Sequence, residues 1–281
     1  LCGVCVIDGG DNSSCQGCTE TDAWNFNPES IIDDGSCEFL DYSLQFDGED
    51  DWVHIPNNTS LNLSELSFTI ELWYKTNGLT SVSQTHIVGN YIDSGGAYYH
   101  LTLRSDNRVA FGVCCDSNDE NIVSTIAIND GLWHHLAGVR DLDNSTLTLY
   151  IDGVNEGQVN LNSNGSIYNG QGLAVGSNHL NRFTQCSIKD LSISNIVRYS
   201  NNFNPLADFI LDNNSLVYYD FSEISNSTTY DLSVNENNGI IYGGTNLVQD
   251  FQNPYLSTEC TDPIASNYNP DADYNDGSCE Y

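Results

Sequence analysis

The amino-acid sequence predicts an all-β protein, a two-sheet antiparallel jelly-roll sandwich with a small disulfide-closed loop repeat at each end. Between residues 40 and 255, short apolar or alternating runs are separated by Gly, Asn and Asp, and helical periodicity is nearly absent. Segments 18–39 and 260–281 match each other without gaps. The chain also carries ten Cys, a number typical of a disulfide-containing protein.

The central region is expected to contain eleven strands, because each run has the length and the β-branched or aromatic residues that suit a pleated sheet. Asp106-Asn107 and Asp152-Gly153 are expected to form hairpin turns, since these residue types tolerate tight turns. The expected strands are 43–47, 52–55, 67–75, 85–88, 98–104, 108–113, 134–140, 146–151, 172–175, 187–193 and 215–220.

The charge and the cysteines indicate an extracellular protein. Seven Lys and Arg stand against 39 Asp and Glu, giving a net charge of -32. Nucleic acid and anionic membranes would be repelled, whereas divalent cations would be attracted, although acidity can also serve solubility alone. No apolar run approaches the ~20 residues that cross a bilayer, so membrane insertion is not expected. Ten Cys without Met favour an oxidising compartment, so we expect a chain that is secreted, extracellular or at a cell surface.

The repeats divide the chain into four predicted parts: a partial Cys/Gly/Asp-rich segment (1–17), a first repeat (18–39), the sandwich (40–255) and a second repeat (256–281). Because the sequence begins inside a Cys-rich segment and without Met, a processed chain or a piece of a longer one is expected. Each repeat is too short to bury a core and therefore needs cross-links. Disulfides Cys18–Cys37 and Cys260–Cys279 are expected to close them.

The repeats are rich in oxygen donors, and calcium takes six to eight such ligands. We therefore predict calcium as the bound ion, although Asn-x-Asn-Pro can equally form an Asx-turn and Asp-Gly-Ser a simple turn. The spacing is not that of an EF-hand. The candidate ligands are Asn25, Asn27, Asp33, Asp34 and Glu38 in the first repeat, and Asn267, Asn269, Asn275, Asp276 and Glu280 in the second.

Residues 260–270 resemble the Cys-Thr-Asp-Pro-x-Ala-x-Asn-Tyr-Asn-Pro repeats of large secreted bacterial surface proteins, related in style to thrombospondin type 3 calcium repeats. The first copy departs from this pattern, because it lacks the counterpart of Asp262-Pro263. The resemblance implies an extracellular, calcium-binding role for both copies.

The central region resembles the laminin-G-like, concanavalin A-type jelly roll, of which pentraxins are relatives. The phrases that carry the resemblance are Phe46-Asp47-Gly48, Asp51-Trp52-Val53, Phe68-Thr69-Ile70-Glu71-Leu72-Trp73, Trp133-His134-His135-Leu136-Ala137-Gly138-Val139 and Leu147-Thr148-Leu149-Tyr150-Ile151-Asp152-Gly153. The resemblance implies an adhesive or carbohydrate-binding domain. It further implies that Asp47 and Asp231 bind one calcium ion, with a plain turn at Asp231 as the alternative.

Catalysis is not expected. A glycosidase of this fold needs two facing carboxylates, and no Glu-x-Asp-x-x-Glu strand occurs. Glu71 lies inside an apolar strand and is expected to face outward or to be hydrogen-bonded. His134 and His135 are neighbours on a strand and should point to opposite faces, so they cannot bind one metal ion together.

Six further cysteines allow fifteen pairings. We expect one of Cys114 and Cys115 to bridge to Cys186 across the sandwich, while the other holds the N-terminal segment; the set is Cys2, Cys5, Cys15, Cys114, Cys115 and Cys186. Eight Asn-x-Ser/Thr triplets are candidate glycosylation sites if the source organism glycosylates secreted proteins. They are Asn12, Asn57, Asn58, Asn62, Asn144, Asn164, Asn213 and Asn226.

These observations favour a non-catalytic extracellular structural or adhesive module, a link in a cell-surface or filamentous assembly stabilised by calcium and disulfides. Its partners would be copies of itself or neighbouring surface modules. The alternative is a lectin-like domain of a larger secreted protein that binds glycans through exposed aromatic residues. The candidates for that role are Trp52, Tyr91, Tyr98 and Tyr99.

Overall fold

Nineteen strands and one short 3-10 helix, Thr59–Leu61, form the regular structure of the residues that the computed structural model describes. Those residues are 16–19, 21, 23, 26–34, 37, 41–78, 84–90, 97–115, 118–162, 165–168, 170–178, 182–206, 209–250, 258–259, 266, 274–275 and 280. The strands are β1 (Asp41–Asp47), β2 (Trp52–Ile55), β3 (Phe68–Lys75), β4 (Gln84–Gly89), β5 (Tyr98–Arg104), β6 (Arg108–Cys115), β7 (Asn118–Ala127), β8 (Trp133–Asp141), β9 (Thr146–Ile151), β10 (Val154–Asn160), β11 (Leu173–Val175), β12 (Gln185–Ser194), β13 (Ser215–Tyr219), β14 (Ile224–Ser225), β15 (Thr228–Thr229), β16 (Gly239–Tyr242), β17 (Asn246–Asp250), β18 (Thr258–Glu259) and β19 (Tyr274–Asn275). No helix among these residues has the length and apolar character needed to cross a membrane.

The strands form two large antiparallel sheets, which confirms the predicted jelly-roll sandwich. The eight-stranded sheet has the order β10-β9-β8-β3-β12-β1-β17, with β13 also pairing to β12. The nine-stranded sheet has the order β14-β15-β16-β2-β11-β4-β5-β6-β7. Consecutive strands such as β1 and β2 lie in different sheets, so the connections between them cross at the ends of the sandwich.

The core lies between the inner faces of the two sheets. Alternate residues of β3, such as Phe68, Ile70 and Leu72, are fully buried there. The opposite face of this sheet is buried as well, because residues 195–206 run across it. They place Tyr199 and Phe203 against Ala137 of β8 and Tyr150 of β9, and the Tyr199 hydroxyl against Glu71 of β3. The eight-stranded sheet is therefore covered on both sides in this region.

Two of the strands missed by the sequence prediction, β7 and β10, contain many polar residues. β10 reads Val-Asn-Glu-Gly-Gln-Val-Asn and is mostly exposed, and β7 begins Asn-Asp-Glu-Asn. They are the edge strands of the two sheets, and Glu156 Oε2 of β10 accepts the N–H of Thr125 of β7 at 2.7 Å. Strands at such an edge bury little side-chain area, so their sequences carry little apolar signal.

The chain divides into two compact units, one comprising Leu1–Asp41 with Gln249–Tyr281 and the other Tyr42–Val248. In the first unit, Cys18 and Cys37 form the predicted disulfide. Gln16 pairs with Ile32 in a parallel bridge, and Thr258 pairs with Tyr274 in the same way. Counted from the first Cys of each repeat, the two pairs occupy equivalent positions, so both repeats share one backbone pairing. Cys260 and Cys279 lie outside the described residues.

The predicted bridge to Cys186 is wrong, because Cys114 and Cys186 are both buried thiols. Cys186 belongs to the inner core, whereas Val113 supplies the inward side chain of β6 and its neighbour Cys114 therefore faces outward. A whole sheet separates the two sulfurs, and a disulfide requires Cα atoms within about 7 Å. Burial raises the pKa of the Cys186 thiol. The side chain of Cys115, and all of Cys2, Cys5 and Cys15, lie outside the described residues.

The predicted hairpin turn at Asp152-Gly153 joins β9 to β10, with φ of 53° and 72° at its two residues. A Cβ on Gly153 would overlap the carbonyl oxygen of Phe203, so only glycine fits where segment 195–206 crosses this turn. The amide of Phe203 donates to the carbonyl of Gly153 at 3.0 Å, which fixes the crossing point.

His134, at the start of β8, makes stability depend on pH. Its Nδ1 lies 2.8 Å from Asp152 Oδ2 and its Nε2 lies 3.2 Å from Asp130 Oδ1. Burial alone would lower the pKa of His134, but the two carboxylates outweigh burial and raise it. The stability that His134 contributes is therefore fully present below the unfolded value of about 6.5 and is lost as the pH rises through the folded pKa.

We expect His134→Gln to destabilise the protein more at about pH 5.5 than at about pH 8.5, either side of the ordinary histidine pKa, in urea unfolding at both values. His54→Gln is the matched control, because burial lowers the pKa of His54 and reverses the sign of the pH dependence. Equal destabilisation by His134→Gln at both pH values would contradict the assignment.

Candidate functional site

A cleft of about 400 Å³ opens at one end of the sandwich. It lies where β1 and β3 end and where β12 and β17 begin, so four strands of the eight-stranded sheet contribute to its wall, together with Gly131 in the turn before β8. Its volume is in the range of small-molecule sites. The lining residues are Gln45, Phe46, Asp47, Asp51, Lys75, Thr76, Asn77, Gly131, Gln185, Cys186, Ser187 and Asn246.

Four of the lining residues carry side-chain amides, and all four are exposed: Gln45, Asn77, Gln185 and Asn246. In the described part of the chain, none of these amides is engaged in a side-chain hydrogen bond. Each amide offers both donors and an acceptor. The cleft therefore presents polar groups with unused hydrogen-bonding capacity.

Thr76 holds the end of β3 against the start of β12. Its hydroxyl donates to the carbonyl of Gln185 at 2.9 Å and accepts the amide N–H of Gly78 at 3.0 Å. Its carbonyl accepts the N–H of Gly131 at 3.1 Å. These bonds fix the backbone on both sides of Asn77, so the position of this amide is set by the sheet.

An acidic cluster adjoins the cleft, and two of its three residues, Asp47 and Asp51, line the cleft wall. The ligand atoms of Asp47, Asp50 and Asp51 lie within 4.8 Å of one another, and the described residues contain no other such group of three acidic, His or Cys ligands. Asp51 is 2% exposed and accepts the N–H groups of Asp47 at 2.9 Å and of Gly244 at 2.5 Å. Asp47 accepts the N–H of Glu49 through Oδ1. Among the described residues, Asp47 Oδ2 and the exposed Asp50 carboxylate accept no hydrogen bond.

This donor set suits a hard cation such as calcium, which prefers carboxylate and amide oxygens. The sequence prediction contained Asp47 but missed Asp50 and Asp51. A usable signal was present, since the run Asp-Gly-Glu-Asp-Asp at 47–51 places three acidic residues after a turn.

Asp231 is not part of this cluster, so the prediction that it shares an ion with Asp47 is wrong. On β12, Asp47 lies opposite Gln185, whereas Tyr218 lies opposite Ser192. Seven residues of strand separate these positions, roughly 23 Å at about 3.3 Å per residue. Asp231 accepts the N–H of Tyr218 at 2.8 Å through Oδ1, and Oδ2 accepts the N–H of Asn237 at 2.8 Å. The buried Asp231 carboxylate is therefore a structural acceptor that closes its own loop.

The two lysines of the chain, Lys75 and Lys189, both contact one aromatic ring beside the cleft. Their Nζ atoms lie 4.6 Å and 5.8 Å from the ring centroid of Trp133. Lys189 is 1% exposed, whereas Lys75 reaches the cleft. Lys75 thus adds a positive charge to an otherwise acidic wall.

The aromatic residues expected to serve a lectin lie in different environments. Tyr99 is buried in the core, where burial raises its pKa, and Tyr98 is buried on the outer face and stacks on His100 at 5.4 Å. Burial lowers the pKa of His100 to about 4. Half-buried Trp52 stacks on Tyr242, which is 43% exposed, at 4.9 Å. Tyr91 lies outside the described residues.

Glu71 and the histidine pair are placed as expected. Glu71 is 2% exposed and accepts the hydroxyl of Tyr199 at 2.6 Å. His135 is fully buried on the same side, 3.4 Å from Glu71 Oε2, whereas His134 contacts Asp152 on the other side. The two imidazoles therefore point to opposite faces.

The predicted ligands of the repeats are only partly described. Asn27 Oδ1 accepts the N–H of Glu29 at 3.1 Å and so forms an Asx-turn, while Asp33, Asp34 and Glu280 are exposed. Outside the described residues lie Asn25, Glu38, Asn267, Asn269, Asp276 and the side chain of Asn275. The calcium assignment in the repeats stays a prediction.

The described glycosylation candidates are all exposed: Asn57, Asn58, Asn62, Asn144, Asn213 and Asn226. Asn12 and Asn164 lie outside the described residues. Several of the exposed side chains already serve local structure, as when Asn58 caps the 3-10 helix by accepting the N–H of Ser60 at 3.2 Å. Glycosylation at these sites stays a prediction.

The fold has similar solved structures at low sequence identity. A protein from Bacteroides ovatus ATCC 8483, named as a candidate carbohydrate-binding protein, matches with a TM-score of 0.58 and 15% identity over 76% of this chain. This chain spans only 61% of that structure's length. Domains LG4-5 of the mouse laminin alpha1 chain match at a TM-score of 0.45 and 14% identity, covering 55% of this chain and 42% of that one. A heptameric SAP-like pentraxin from Limulus polyphemus matches at 0.42 and 14%, covering 57% and 78%.

No curated protein matches the sequence. A family model does match, and it covers residues 47–201, more than half of the chain, under the description concanavalin A-like lectin/glucanases superfamily. The match includes β2 to β12 and most of the cleft wall. This chain belongs to the concanavalin A-like lectin/glucanases superfamily.

Proposed function

We propose that this chain is a non-catalytic, secreted adhesive module that binds carbohydrate in the cleft at the end of its sandwich. The observation that carries the proposal is the convergence of four unengaged side-chain amides with the Asp47 carboxylate in one cleft of about 400 Å³. The lectins of the superfamily, and the Bacteroides ovatus protein named as a candidate carbohydrate-binding protein, support the same ligand class.

The chemistry of the cleft matches that of a sugar. Each sugar hydroxyl both donates and accepts hydrogen bonds, and amides also do both, while a carboxylate accepts. Gln45, Asn77, Gln185 and Asn246 come from separate strand ends that the sheet holds in place. A rigid frame of this kind lowers the entropic cost of binding a polar ligand.

The arrangement of carboxylates favours binding without turnover. Hydrolysis of a glycosidic bond requires two carboxyl groups on either side of that bond, about 5 to 9.5 Å apart. The cleft carboxylates, Asp47 and Asp51, stand on the same turn, and Asp51 is occupied by two backbone N–H groups. This observation supports a binding role.

A glycan array with the full chain, followed by calorimetry, tests the proposal. We expect Asn77→Ala and Gln185→Ala each to weaken binding of the best array glycan about tenfold, since one lost hydrogen bond costs about 1 to 1.5 kcal/mol. Asn201→Ala removes an exposed amide elsewhere and should leave the affinity unchanged. Unchanged affinity in the cleft variants, or release of reducing sugar from the glycan, would contradict the proposal.

Calcium is the ion that we propose for the Asp47, Asp50 and Asp51 cluster. Asp47→Asn and Asp50→Asn should each weaken calcium binding at least tenfold in calorimetry, because each removes a charged oxygen ligand. Asp143→Asn, in the exposed β8–β9 turn, is the matched control. Calcium titrations that are equal for all three variants and the parent would show that this cluster does not hold the ion.

A second candidate function is that of a link in an extracellular assembly of copies of this chain or neighbouring modules. Its support is the repeat at both ends of the chain and the parallel pairing that both copies share. Because calcium and disulfides would stiffen the repeats, chelator and reductant should each shorten any assemblies seen by sedimentation or electron microscopy. Assemblies that are insensitive to both reagents would count against this role, and so would a chain that stays monomeric.

A further inference from the structure

An aromatic strip lies on the outer face of the nine-stranded sheet. It consists of Trp52 and His54 of β2 with Ile240 and Tyr242 of β16, which pair as Tyr242 with Trp52 and Ile240 with His54. The intervening Val53 is 1% exposed and belongs to the core. Ile240 is 38% and Tyr242 43% exposed, so the strip faces outward.

The rings of the strip are held against one another. The Trp52 and Tyr242 rings are nearly parallel, with centroids 4.9 Å apart and an interplanar angle of 17°, and His54 packs on Trp52 at 5.5 Å. Such a surface combines apolar ring area with the polar atoms of indole, phenol and imidazole. Burial lowers the pKa of His54, so its ring is a neutral hydrogen-bonding group near pH 7.

The strip begins beside the cleft. Asp51, which lines the cleft, directly precedes Trp52, and its carboxylate accepts the N–H of Gly244. Gly244 follows Tyr242 by two residues, in the turn that ends β16. Gly243 has φ of 78°, and a Cβ there would overlap Asp51 Oδ1. Two consecutive glycines thus leave the corner between cleft and strip without side chains.

We propose that Trp52 and Tyr242 form a second carbohydrate subsite, so that the ligand is a chain of several sugars that extends from the cleft across the aromatic strip. This inference rests on the proposed function of the cleft. The alternation of C–H faces and hydroxyl groups along a glycan matches a strip whose rings have polar edges. Continuity with the cleft through Asp51 and Gly244 favours this occupant, whereas a second copy of the chain would bring together two net charges of -32.

Affinity as a function of ligand length tests the subsite. The probes are disaccharides and hexasaccharides of the cello, manno, galacto and alginate series, titrated into the full chain by calorimetry. We expect a hexasaccharide to bind about tenfold or more tightly than the disaccharide of its series. Tyr242→Leu and Trp52→Ala should reduce hexasaccharide affinity to the disaccharide level and leave the disaccharide unaffected. Ile240→Ala, on the same strand, keeps the ring pair and should retain the length dependence.

The outcomes separate the two proposals. Hexasaccharide affinity equal to that of the disaccharide, or unchanged in Tyr242→Leu, overturns the second subsite and leaves the cleft intact. If the strip variants lose all glycan binding while Asn77→Ala keeps its full affinity, the proposal for the cleft is overturned instead. If the chain binds neither the disaccharide nor the hexasaccharide, both carbohydrate proposals are overturned. A concentration-dependent dimer that Tyr242→Leu abolishes would identify the strip as an interface between copies and overturn the carbohydrate assignment.

Discussion

Arg140→Leu is expected to lower the free energy of unfolding by about 3 to 5 kcal/mol, the cost typical of breaking a buried charged hydrogen-bond group. Arg140 is fully buried at the end of β8. Its Nη1 donates to the carbonyl oxygens of Ser64 at 2.9 Å, Leu63 at 3.1 Å and Leu66 at 3.4 Å. Leucine fills most of the volume but leaves two buried carbonyls and one partly buried carbonyl without this donor.

Urea unfolding at neutral pH measures the effect. Arg108→Leu is the control, because Arg108 is 41% exposed and pairs with Asp106 at the surface, where an ion pair contributes less than about 1 kcal/mol. Arg140→Lys should lose an intermediate amount of free energy of unfolding, since an ammonium group still donates hydrogen bonds but cannot match the geometry of the guanidinium group. A loss for Arg140→Leu no larger than that of the control would show that these contacts do not stabilise the fold.

The second large effect is expected at Glu71, which anchors segment 195–206 on the eight-stranded sheet. Glu71→Ala removes the acceptor of the Tyr199 hydroxyl and the carboxylate 3.4 Å from His135 Nε2. Burial, followed by the charge of Glu71, raises the pKa of Tyr199, so the phenol remains a neutral donor to the carboxylate. Leaving buried polar groups unsatisfied should cost about 2 to 4 kcal/mol.

Amide hydrogen exchange measures the loss of stability and also shows which residues lose protection. Amides of 195–206 should exchange faster in Glu71→Ala than in the parent, because Tyr199 and the Phe203 ring stacked on it at 3.5 Å lose their anchor. Glu71→Gln retains an acceptor and should lose less stability, and Glu223→Ala at the surface should change neither readout. Protection of 195–206 that is unchanged in Glu71→Ala would refute the anchor role.

Much of the fold could be predicted because its central strands carry their own signal. The apolar residues of β3, β5 and β9 and the Asp-Gly turn at 152–153 are local features, and the structure reproduces them. Edge strands such as β10 escaped prediction because their side chains face solvent and need not be apolar. The sandwich topology was predicted from the resemblance to the laminin-G-like jelly roll, because local sequence patterns do not specify which strands pair.

The site was less predictable, because its parts meet only through strand register. Gln45, Asn77, Gln185 and Asn246 are scattered over two hundred residues and share no motif. The error at Asp231 has the same origin: its backbone donors, such as Tyr218 and Asn237, are set by the loop that surrounds it. The expected Cys186 bridge failed because Cys186 faces the core, whereas Cys114 faces outward from the other sheet.

The most direct test of carbohydrate binding in the cleft is an NMR titration of the chain, labelled with ¹⁵N, with the best array glycan. The side-chain NH₂ resonances of Asn77, Gln185, Gln45 and Asn246 are predicted to shift first and most, while that of Asn201 stays in place. Binding that shifts amides elsewhere and leaves these four unchanged would contradict the account.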